Sequence, residues 1–410
     1  MDKKPEKLVP EVRFKGFTDD WEQRELGDIT NYIKGYAFKS ASYQAKGNVL
    51  LIRASDLSSG TLAFLPDKKY LPSQFLETFK RYKLNQGDIV ITTVGSKSTM
   101  KSSAVGRPIY INSNKPYLLN QNLVKITVND SINSFYLYNQ LLKSKYKYFV
   151  STIERGNANQ ANITIHDLWK YKAFLTSELE EKQIGHLLLK LNQLFYLQQR
   201  KLEQLKQLKK AMLQQLFVDK NNKQPNLRFK NFKGNWEQHR LEEVAQVTMG
   251  QSPSSKNYTD NPNDYVLVQG NADLKSNKIS PRVWTKEVTK QVHKGEIIMT
   301  VRAPVGYLAM ANMDAVIGRG VAAIDGNKYL YYLLQTKLMD RTWEKLSSGS
   351  TFESISSNDI KNLEIKVTET EEEKLIAKLM DTVTYFVTLQ KNKLTQLTTL
   401  KKYLLQNLFI

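Results

Sequence analysis

The sequence has no cysteine and only four histidines, and these two shortages exclude whole classes of chemistry. Without cysteine, a disulfide scaffold, a cysteine-ligated zinc ion, an iron–sulfur cluster and a thiol nucleophile are all excluded. No two histidines are closer than 20 residues, so a local histidine-rich metal site is not expected. No apolar run reaches the ~18 residues of a membrane span, and the opening MDKKPEKLVPEVRFKGF contains no apolar signal segment. We therefore expect a cytoplasmic protein that does not enter a membrane.

What the sequence does have is positive charge, with 60 Lys+Arg against 40 Asp+Glu and a net charge of +20. Residues 1–218 carry 33 basic and 19 acidic residues, and residues 219–410 carry 27 and 21. The length of 410 residues and a hydrophobic content of 41% predict a folded chain of two or three domains. The excess of basic residues indicates a polyanionic partner.

The strongest feature of the sequence is an internal repeat. PEVRFKGFTDDWEQRELGDI (10–29) matches PNLRFKNFKGNWEQHRLEEV (225–244) at nine of 20 positions, with an offset of 215 residues. LQQRKLEQLKQLKKAMLQQLFV (197–218) matches LQKNKLTQLTTLKKYLLQNLFI (389–410) at 13 of 22 positions, with an offset of 192. The chain is therefore a duplication, and the middle of its second copy is the shorter.

Each copy begins with a globular part and ends with a long helical part. Short β-rich runs such as GDIVITTV and GEIIMTV are punctuated by Gly, Asn and Pro and are followed by Tyr-rich helical pieces, which predicts a mixed α/β globule. Apolar residues then recur at spacings of three and four over about 178–217 and 370–409, which predicts two long helices with one apolar seam each. The fold class is thus α+β with an internal pseudo-two-fold repeat.

Connectivity predicts how the two helices pack. The first helix enters the second globule through the polar linker DKNNKQP, and the second helix leaves that globule, so helices that share a seam must run antiparallel as a coiled coil. The central seam positions on the two helices are Leu191, Leu194, Gln198, Leu202, Leu205, Leu208, Val383, Phe386, Gln390, Leu394, Leu397 and Leu400. Gln198 and Gln390 either meet and fix the register, or mark a point where the seam drifts toward Leu197 and Leu389.

Several local patterns resemble catalytic motifs without completing them. Asn261-Pro262 resembles a methyltransferase loop, but the second proline and an upstream Gly-rich cofactor loop are missing, so we interpret it as a turn. Asp359 with Glu364-x-Lys366 resembles a nuclease motif, but the alternation in NLEIKV predicts a strand. His166-Asp167 corresponds to Asn358-Asp359 in the second copy, which favours a helix N-cap over a catalytic pair. We predict no catalytic centre and no metal site in this chain.

Two similar but non-identical basic globules on a spacer suit a bipartite site on duplex DNA, with one globule on each half and the helices setting the separation. The rival hypothesis is a non-catalytic scaffold or RNA-binding adaptor that uses the same helices. A self-sufficient endonuclease is disfavoured because a cluster of metal-binding carboxylates is missing from the sequence.

The order of these elements resembles that of the specificity subunits of type I restriction–modification systems, over essentially the whole chain. The matching motifs are F-x-x-W-E-Q-x-x-L at Phe17–Leu26 and Phe232–Leu241, E-E-K-x-I at Glu180–Ile184 and Glu372–Ile376, and K-K-x-x-L-Q-x-L-F at Lys209–Phe217 and its copy. The resemblance implies target-recognition domains at 1–176 and 219–368, a central long helix at 177–218 and a distal long helix at 369–410.

The resemblance also implies which partners supply the chemistry. Two modification (methyltransferase) subunits would dock on the helices and bind S-adenosylmethionine, and restriction subunits with ATP and Mg²⁺ would cleave DNA. No cofactor is expected on this chain, and its own ligand would be double-stranded DNA.

Candidate DNA contacts lie in loops of the two globules. Gln121, within Asn120-Gln121-Asn122, corresponds to Arg319 within Gly318-Arg319-Gly320, and glutamine suits adenine whereas arginine suits guanine. Contacts to phosphate or solvent are the alternative for both. Further loop candidates are Arg155, Asn157, Asn159, Gln160, Arg302, Ser350 and Thr351. Candidates for phosphate contacts, with a solvated lysine as the alternative, are Lys34, Lys39, Lys97, Lys101 and Arg107.

Overall fold

The chain folds into two compact units in a computed structural model. Unit 1 comprises residues 1–198 and 393–410, and unit 2 comprises residues 199–392. The structure describes residues 8–58, 61–62, 68–98, 104–156, 160–219, 221–347 and 354–410. Each unit therefore contains the first part of one long helix and the last part of the other.

Unit 1 is built on two four-stranded sheets. The first is antiparallel throughout and has the order Pro108–Tyr110, Ile89–Thr92, Leu123–Val128, Thr30–Lys34. The second has the order Tyr70–Leu71, Val49–Ile52, Tyr117–Leu119, Lys83–Leu84, and its two central strands are parallel. Three of the four central strands, Val49–Ile52, Ile89–Thr92 and Tyr117–Leu119, are buried along their length, and their sequences are nearly continuous apolar runs that do not alternate. The two-stranded pairs are Glu22–Glu25 with Lys172–Leu175, Val94–Gly95 with Ala161–Asn162, and Leu57–Ser58 with Thr61–Leu62.

Short helices cover these sheets. In unit 1 they are Leu26–Ile29, Phe75–Thr78, Ser134–Gln140, Ser144–Ile153 and Ile165–Leu168, with 3-10 turns at Ser40–Ser42, Ala54–Asp56 and Lys80–Tyr82. The helix Ser134–Gln140 is rich in tyrosine. Asn133 is its N-cap, and the Asn133 side chain accepts a hydrogen bond from Tyr136 N (2.9 Å). Its aromatic side chains are buried against Trp21, Ile126 and their neighbours in the main core of the unit.

Unit 2 repeats this plan. Its antiparallel sheet has the order Gln246–Met249, Val321–Asp325, Ile297–Thr300, Leu308–Met310. Its second sheet has the order Tyr258–Thr259, Trp284–Thr285, Tyr265–Val268, Ala315–Ile317, Gln291–Val292, again with one parallel pair. The two-stranded pairs are Glu237–Arg240 with Glu364–Val367 and Leu274–Lys275 with Lys278–Ile279. Its helices are Leu241–Val244, Lys328–Met339, Thr342–Ser347 and Ser357–Lys361, with 3-10 turns at Ser255–Asn257 and Asn271–Asp273. The predicted α+β class and internal repeat are confirmed.

The two long helices span Glu178–Leu216 and Thr370–Asn407, within two residues of the predicted bounds. In unit 1, Ile184 and Leu188 near the start of the first helix share a core with Leu408 and Phe409 from the end of the second. In unit 2, Leu213 and Leu216 share a core in the same way with Ile376 and Met380, at the start of the second helix. Within each unit the start of one helix therefore packs with the end of the other, as the antiparallel prediction requires.

The same ion pair joins each globule to its own long helix. Arg13 Nε and Nη2 each donate to Glu180 at 2.8 Å in unit 1, and Arg228 Nε and Nη2 each donate to Glu372 at 2.8 Å in unit 2. Burial opposes ionisation of Glu180, but hydrogen bonds from Arg13 and Thr176 outweigh it and lower the pKa of the carboxyl group. A planar guanidinium on a carboxylate fixes both distance and orientation, so this pair ties the start of the helix to the globule.

Four predicted seam residues are not buried, which corrects the single-seam prediction. Leu194, Leu208, Phe386 and Leu400 are between 40 and 48% exposed, whereas Leu202, Val383 and Gln390 are buried. Leu191, Gln198, Leu205, Leu394 and Leu397 are half-buried. An α-helix turns about 100° per residue, so two consecutive three-residue steps place Leu208 about 120° away from Leu202. The apolar stripe is therefore wider than the seam, and whether Gln198 and Gln390 meet stays a prediction.

Candidate nucleic-acid interface

The predicted base-reading turn of unit 1 joins strands Tyr117–Leu119 and Leu123–Val128. Asn122 has φ +66°, a left-handed conformation that asparagine tolerates better than most residues. Thr93 N donates to Asn122 O (2.9 Å) and ties the turn to the neighbouring strand. Gln121 lies exposed in this turn, and no described residue forms a hydrogen bond with its side chain. Its amide is therefore available to a ligand.

The corresponding turn of unit 2 joins strands Ala315–Ile317 and Val321–Asp325. Val301 N donates to Gly320 O (2.9 Å), as Thr93 N does to Asn122 O in unit 1. Arg319 is exposed, its backbone N donates to Ser252 Oγ (3.1 Å), and no described carboxylate pairs with its guanidinium. Gln121 and Arg319 thus occupy matched positions, while their role in reading bases stays a prediction.

A glycine lies against the base of each turn. A Cβ atom on Gly35 would be 1.8 Å from Asn120 O, and one on Gly250 would be 2.2 Å from Gly318 O. Any larger residue would have to push the turn away, because contacts below 3.0 Å to backbone cannot be relieved by a side-chain rotation. The close approach of strand and turn is therefore built into both units.

A further segment is bonded beside each turn, close to other predicted contacts. Ile163 N donates to Thr93 O (2.9 Å), and Ile355 N donates to Val301 O (3.0 Å). Next to these bonds, Arg155 forms an isolated antiparallel β-bridge with Asn162, and Arg302 forms one with Ser354. Arg302 is exposed, whereas the exposed Arg155 donates to Asp167 Oδ2 at 2.8 Å. An arginine in an exposed ion pair can exchange its carboxylate for a phosphate at small cost.

The remaining predicted contacts fall into three groups. Lys34, Lys39 and Gln160 are exposed, and Lys34 lies opposite Val124 at the end of its strand. Lys97 and Arg107 are half-buried, and burial lowers the pKa of the Arg107 guanidinium. The predictions for Lys101, Asn157, Asn159, Ser350 and Thr351 fall outside the described residues.

Asn120 is a correction to the predicted set. Its residue surface is only 8% exposed, and its Oδ1 atom is buried without a hydrogen-bond partner among the described residues. Its backbone N donates to Ile52 O (3.0 Å), which joins the turn to the second sheet. Asn120 therefore holds the turn through its backbone, and its buried side chain is not presented at the surface.

The segments whose sequences resemble catalytic motifs have structural roles. The helix at Ile165–Leu168 is capped by Thr164, whose Oγ1 accepts from Asp167 N (3.1 Å), and Ser356 caps the matching helix by accepting from Asp359 N (3.2 Å). Asn261 O accepts from Asp264 N (3.1 Å) in a turn, and Glu364–Val367 is a strand. The turn and strand interpretations are confirmed. The N-cap prediction for His166-Asp167 and Asn358-Asp359 is wrong, because both pairs lie in the first turn of their helices and Thr164 and Ser356 are the caps. Within the described ranges, no group of three His, Cys, Asp or Glu side chains could hold a metal ion.

Sequence reasoning missed the ion pair between Arg13 and Glu180 and its copy in unit 2. The signal was present, since both arginines and both glutamates lie in the repeated motifs, but the partners are 167 and 144 residues apart. The sequence also gave no hint that Lys143 Nζ donates to the backbone O atoms of Phe409 (2.9 Å) and Ile410 (2.8 Å). Contacts of this kind depend on the packing of the long helix against the globule.

Comparison with known proteins agrees with this architecture. The sequence profile of the type I restriction modification DNA specificity domain matches residues 18–207 and 233–399, so the chain belongs to this family. It is 27% identical over 403 residues to the MjaX specificity subunit of a type I restriction enzyme from Methanocaldococcus jannaschii, covering 94% of this chain and 91% of that one. It is 31% identical over 185 residues to the MjaIX specificity subunit from the same organism, over 42% of each chain.

Solved structures show the same fold. The crystal structure of a type I restriction-modification system S subunit from M. genitalium superposes with a TM-score of 0.68 at 14% identity, over 98% of this chain and 99% of that one. A chain from a structure of a type I restriction-modification complex superposes with a TM-score of 0.55 at 21% identity, over 99% of both chains. The family consists of DNA-recognition subunits, so this chain is a non-catalytic DNA specificity subunit. Among the described residues, no helix is long and apolar enough to cross a membrane.

Proposed function

We propose that each globular part reads one half of an asymmetric bipartite sequence on duplex DNA. The observation that carries this proposal is the pair of matched turns that present different side chains, Gln121 in unit 1 and Arg319 in unit 2. A glutamine amide pairs best with adenine and an arginine guanidinium with guanine in the major groove. Because the scaffold is repeated but the exposed residues differ, the two half-sites differ in sequence.

The long helices set the distance between the half-sites. In this proposal residues 1–176 and 219–368 are the recognition domains, and 177–218 and 369–410 are the helices that connect them. Each helix has about 38 residues, or about 57 Å at 1.5 Å per residue. Support for a fixed spacing comes from the ion pair between Arg13 and Glu180 and its copy, which hold each globule on its helix.

Two modification subunits dock on the exposed apolar residues of the helices. On the first helix these are Leu194, Leu197 and Leu208, and on the second they are Phe386, Leu389 and Leu400, each 192 residues further along. Exposed apolar residues repeated in this way favour two equivalent docking surfaces. S-adenosylmethionine binds to these partners, restriction subunits use ATP and Mg²⁺, and the assembly acts in the cytoplasm on the host's DNA.

The docking proposal is tested by variants on one helix at a time. Leu194→Ser with Leu197→Ser should remove one modification subunit from the complex, and Phe386→Ser with Leu389→Ser should remove the other. Native mass spectrometry of the complex purified from its host counts the subunits. Gln193→Ser, an exposed polar position on the same helix, serves as the control. Full retention of both subunits in both double variants would rule out these surfaces.

The recognition proposal is tested by comparing methylation in the host with and without this chain. Sequencing that detects methylated bases should show one bipartite motif that disappears when the chain is removed. The complex should prefer duplex DNA to RNA, and its affinity should fall steeply with salt, by roughly 0.9 in the log–log slope for each phosphate contact. RNA outcompeting duplex DNA, or a flat salt titration, would contradict the proposal.

A further inference from the structure

Gly35 and Gly250 pack against the turns that carry Gln121 and Arg319. In both units the residue after this glycine is held by the same backbone hydrogen bond. In unit 1, Gly35 N donates to Leu123 O (2.9 Å) and Tyr36 N donates to Leu119 O (3.1 Å), on the two sides of the turn. In unit 2, Gly250 N donates to Val321 O (3.0 Å) and Gln251 N donates to Ile317 O (2.9 Å). The backbone thus fixes Tyr36 at the base of the turn that carries Gln121, where it pairs with Asn120, and fixes Gln251 at the base of the turn that carries Arg319.

The Tyr36 ring is both exposed and supported. The residue is 39% exposed, yet its ring centroid lies 4.8 Å from that of Phe79, 4.9 Å from Phe38 and 5.3 Å from Tyr82. Phe38 is itself buried and packs on Phe79 at 5.0 Å. An aromatic ring packed against three other rings loses little further conformational entropy when a ligand contacts it.

Gln251 differs from Tyr36 in chemistry but not in placement. Its backbone O accepts a hydrogen bond from Thr289 Oγ1, which holds the main chain in place. The side chain is exposed, and no described residue forms a hydrogen bond with its amide. The hydroxyl group of Tyr36 likewise has no partner within the described part of the chain. Both side chains therefore present unused groups on a fixed backbone.

We infer that Tyr36 and Gln251 are a second pair of base-contacting positions, in addition to Gln121 and Arg319. This inference rests on the proposed function. Tyr36 packs its ring against the apolar edge of a base, and Gln251 donates and accepts hydrogen bonds through its amide. Ring-to-thymine-methyl contacts and glutamine–adenine pairs are the matching chemistries in the major groove. Each half-site is thus read by one residue at the tip of a turn and by a second residue that backbone hydrogen bonds hold at the base of the same turn.

The test is a sequence selection with the complex that the full chain forms in its host. Duplexes with randomised half-sites are offered to the wild type and to the variants Tyr36→Ala, Tyr36→Phe, Gln251→Ala and Gln121→Ala. Bound duplexes are sequenced, and the preference at each base pair is compared. Gln251→Ala changes an exposed side chain, so it tests the inference even where loss of the Tyr36 ring disturbs its aromatic neighbours.

Tyr36→Ala should reduce discrimination about tenfold at a base pair in the half-site that Gln121→Ala affects, while Tyr36→Phe retains it because the ring remains. Gln251→Ala should relax only the other half-site. Wild-type preferences in both Tyr36→Ala and Gln251→Ala, or uniform weakening on all sequences, would overturn the inference while leaving the proposed function intact. A wild-type complex that selects no bipartite sequence would instead refute the proposed function itself.

Discussion

The two units differ where they face solvent and even in parts of the interior, yet the backbone hydrogen bonds at their matched turns agree. Unit 1 buries Lys125, whose Nζ donates to Lys83 O (2.9 Å) and lies 3.9 Å from Asp88, whereas Ala323 takes the place of Lys125 in unit 2. The turns nevertheless keep the same bonds, from Gly35 and Tyr36 in one unit and from Gly250 and Gln251 in the other. The comparison teaches that the duplicated scaffold fixes where reading residues stand, and that the residue types decide what is read.

A second comparison concerns the phenylalanine that packs against a tryptophan and a tyrosine in the core of each unit. Phe409, at the end of the second helix, packs its ring at 6.4 Å from Trp21 and 5.3 Å from Tyr136 in unit 1. Phe217, at the end of the first helix, packs at 6.5 Å from Trp236 and 5.4 Å from Tyr329 in unit 2. In unit 2 the phenylalanine comes from the helix that precedes this unit in the sequence. In unit 1 it comes from the end of the chain, almost 400 residues after Trp21.

The largest effect should come from removing these rings. Phe409→Ala and Phe217→Ala should each lower the free energy of unfolding of one unit by about 3–5 kcal/mol, the usual cost of truncating a buried phenylalanine. Hydrogen exchange measured by mass spectrometry should show the loss of protection in unit 1 for the first variant and in unit 2 for the second. Loss of protection in the same unit for both variants would show that the two phenylalanines do not have equivalent roles.

Next in size should be the loss of the ion pair at each helix start. Glu180→Ala leaves Arg13 without its carboxylate, and Glu372→Ala does the same to Arg228, so each should cost about 3 kcal/mol. Chemical unfolding of the full chain measures the loss. The exposed pair between Arg24 and Glu22 (3.4 Å) is the control, and Glu22→Ala should cost less than about 1 kcal/mol.

A buried carboxyl group beside this pair should make unit 1 sensitive to pH. Burial raises the pKa of Glu181 to about 7, against the hydrogen bonds from Asn133 N and Thr176 N that lower it. A raised folded-state pKa gives stability that is present below the unfolded pKa of ~4.5 and is lost as the pH rises through about 7, by at most about 3 kcal/mol. Unfolding of the wild type and of Glu181→Gln at pH 4.5–8 should show a smaller slope in the variant. Equal slopes would mean that Glu181 does not titrate in this range.

Lengthening the two helices should lengthen the gap between the two DNA half-sites by a few base pairs. Inserting one heptad after Leu205 and one after Leu397 adds about 10 Å to each helix, which corresponds to up to about three base pairs at 3.4 Å per pair. Those pairs also rotate the second half-site by roughly a third of a turn, so DNA twist or helix bending must absorb the difference. Methylome mapping should show a longer gap with both half-sites unchanged. An active variant with the original gap would show that the helices do not set the spacing.

The sequence predicted what depends on local periodicity and missed what depends on distant contacts. Both long helices follow from apolar residues at spacings of three and four, and the principal strands follow from short runs rich in apolar residues, such as Ile89–Thr92. The burial of Asn120 could not be predicted in this way, because its backbone bonds to Ile52, far along the chain. The exposure of Leu208 does follow from the 100° turn per residue, which the spacing of three and four alone does not resolve. The aromatic support of Tyr36 was missed for the same reason as the burial of Asn120, since Phe79 and Tyr82 are more than 40 residues away.

The central claim is that matched turns in the two units read different half-sites, and single substitutions at the turn tips test it most directly. Gln121→Ala and Arg319→Ala are compared with the wild type by methylome mapping and by binding to duplexes changed at one base pair at a time. Each variant should lose about 1–3 kcal/mol of discrimination at one base pair, in opposite half-sites, with the remaining positions unchanged. Relaxation of the same half-site by both variants, or uniform weakening on every sequence, would contradict the account.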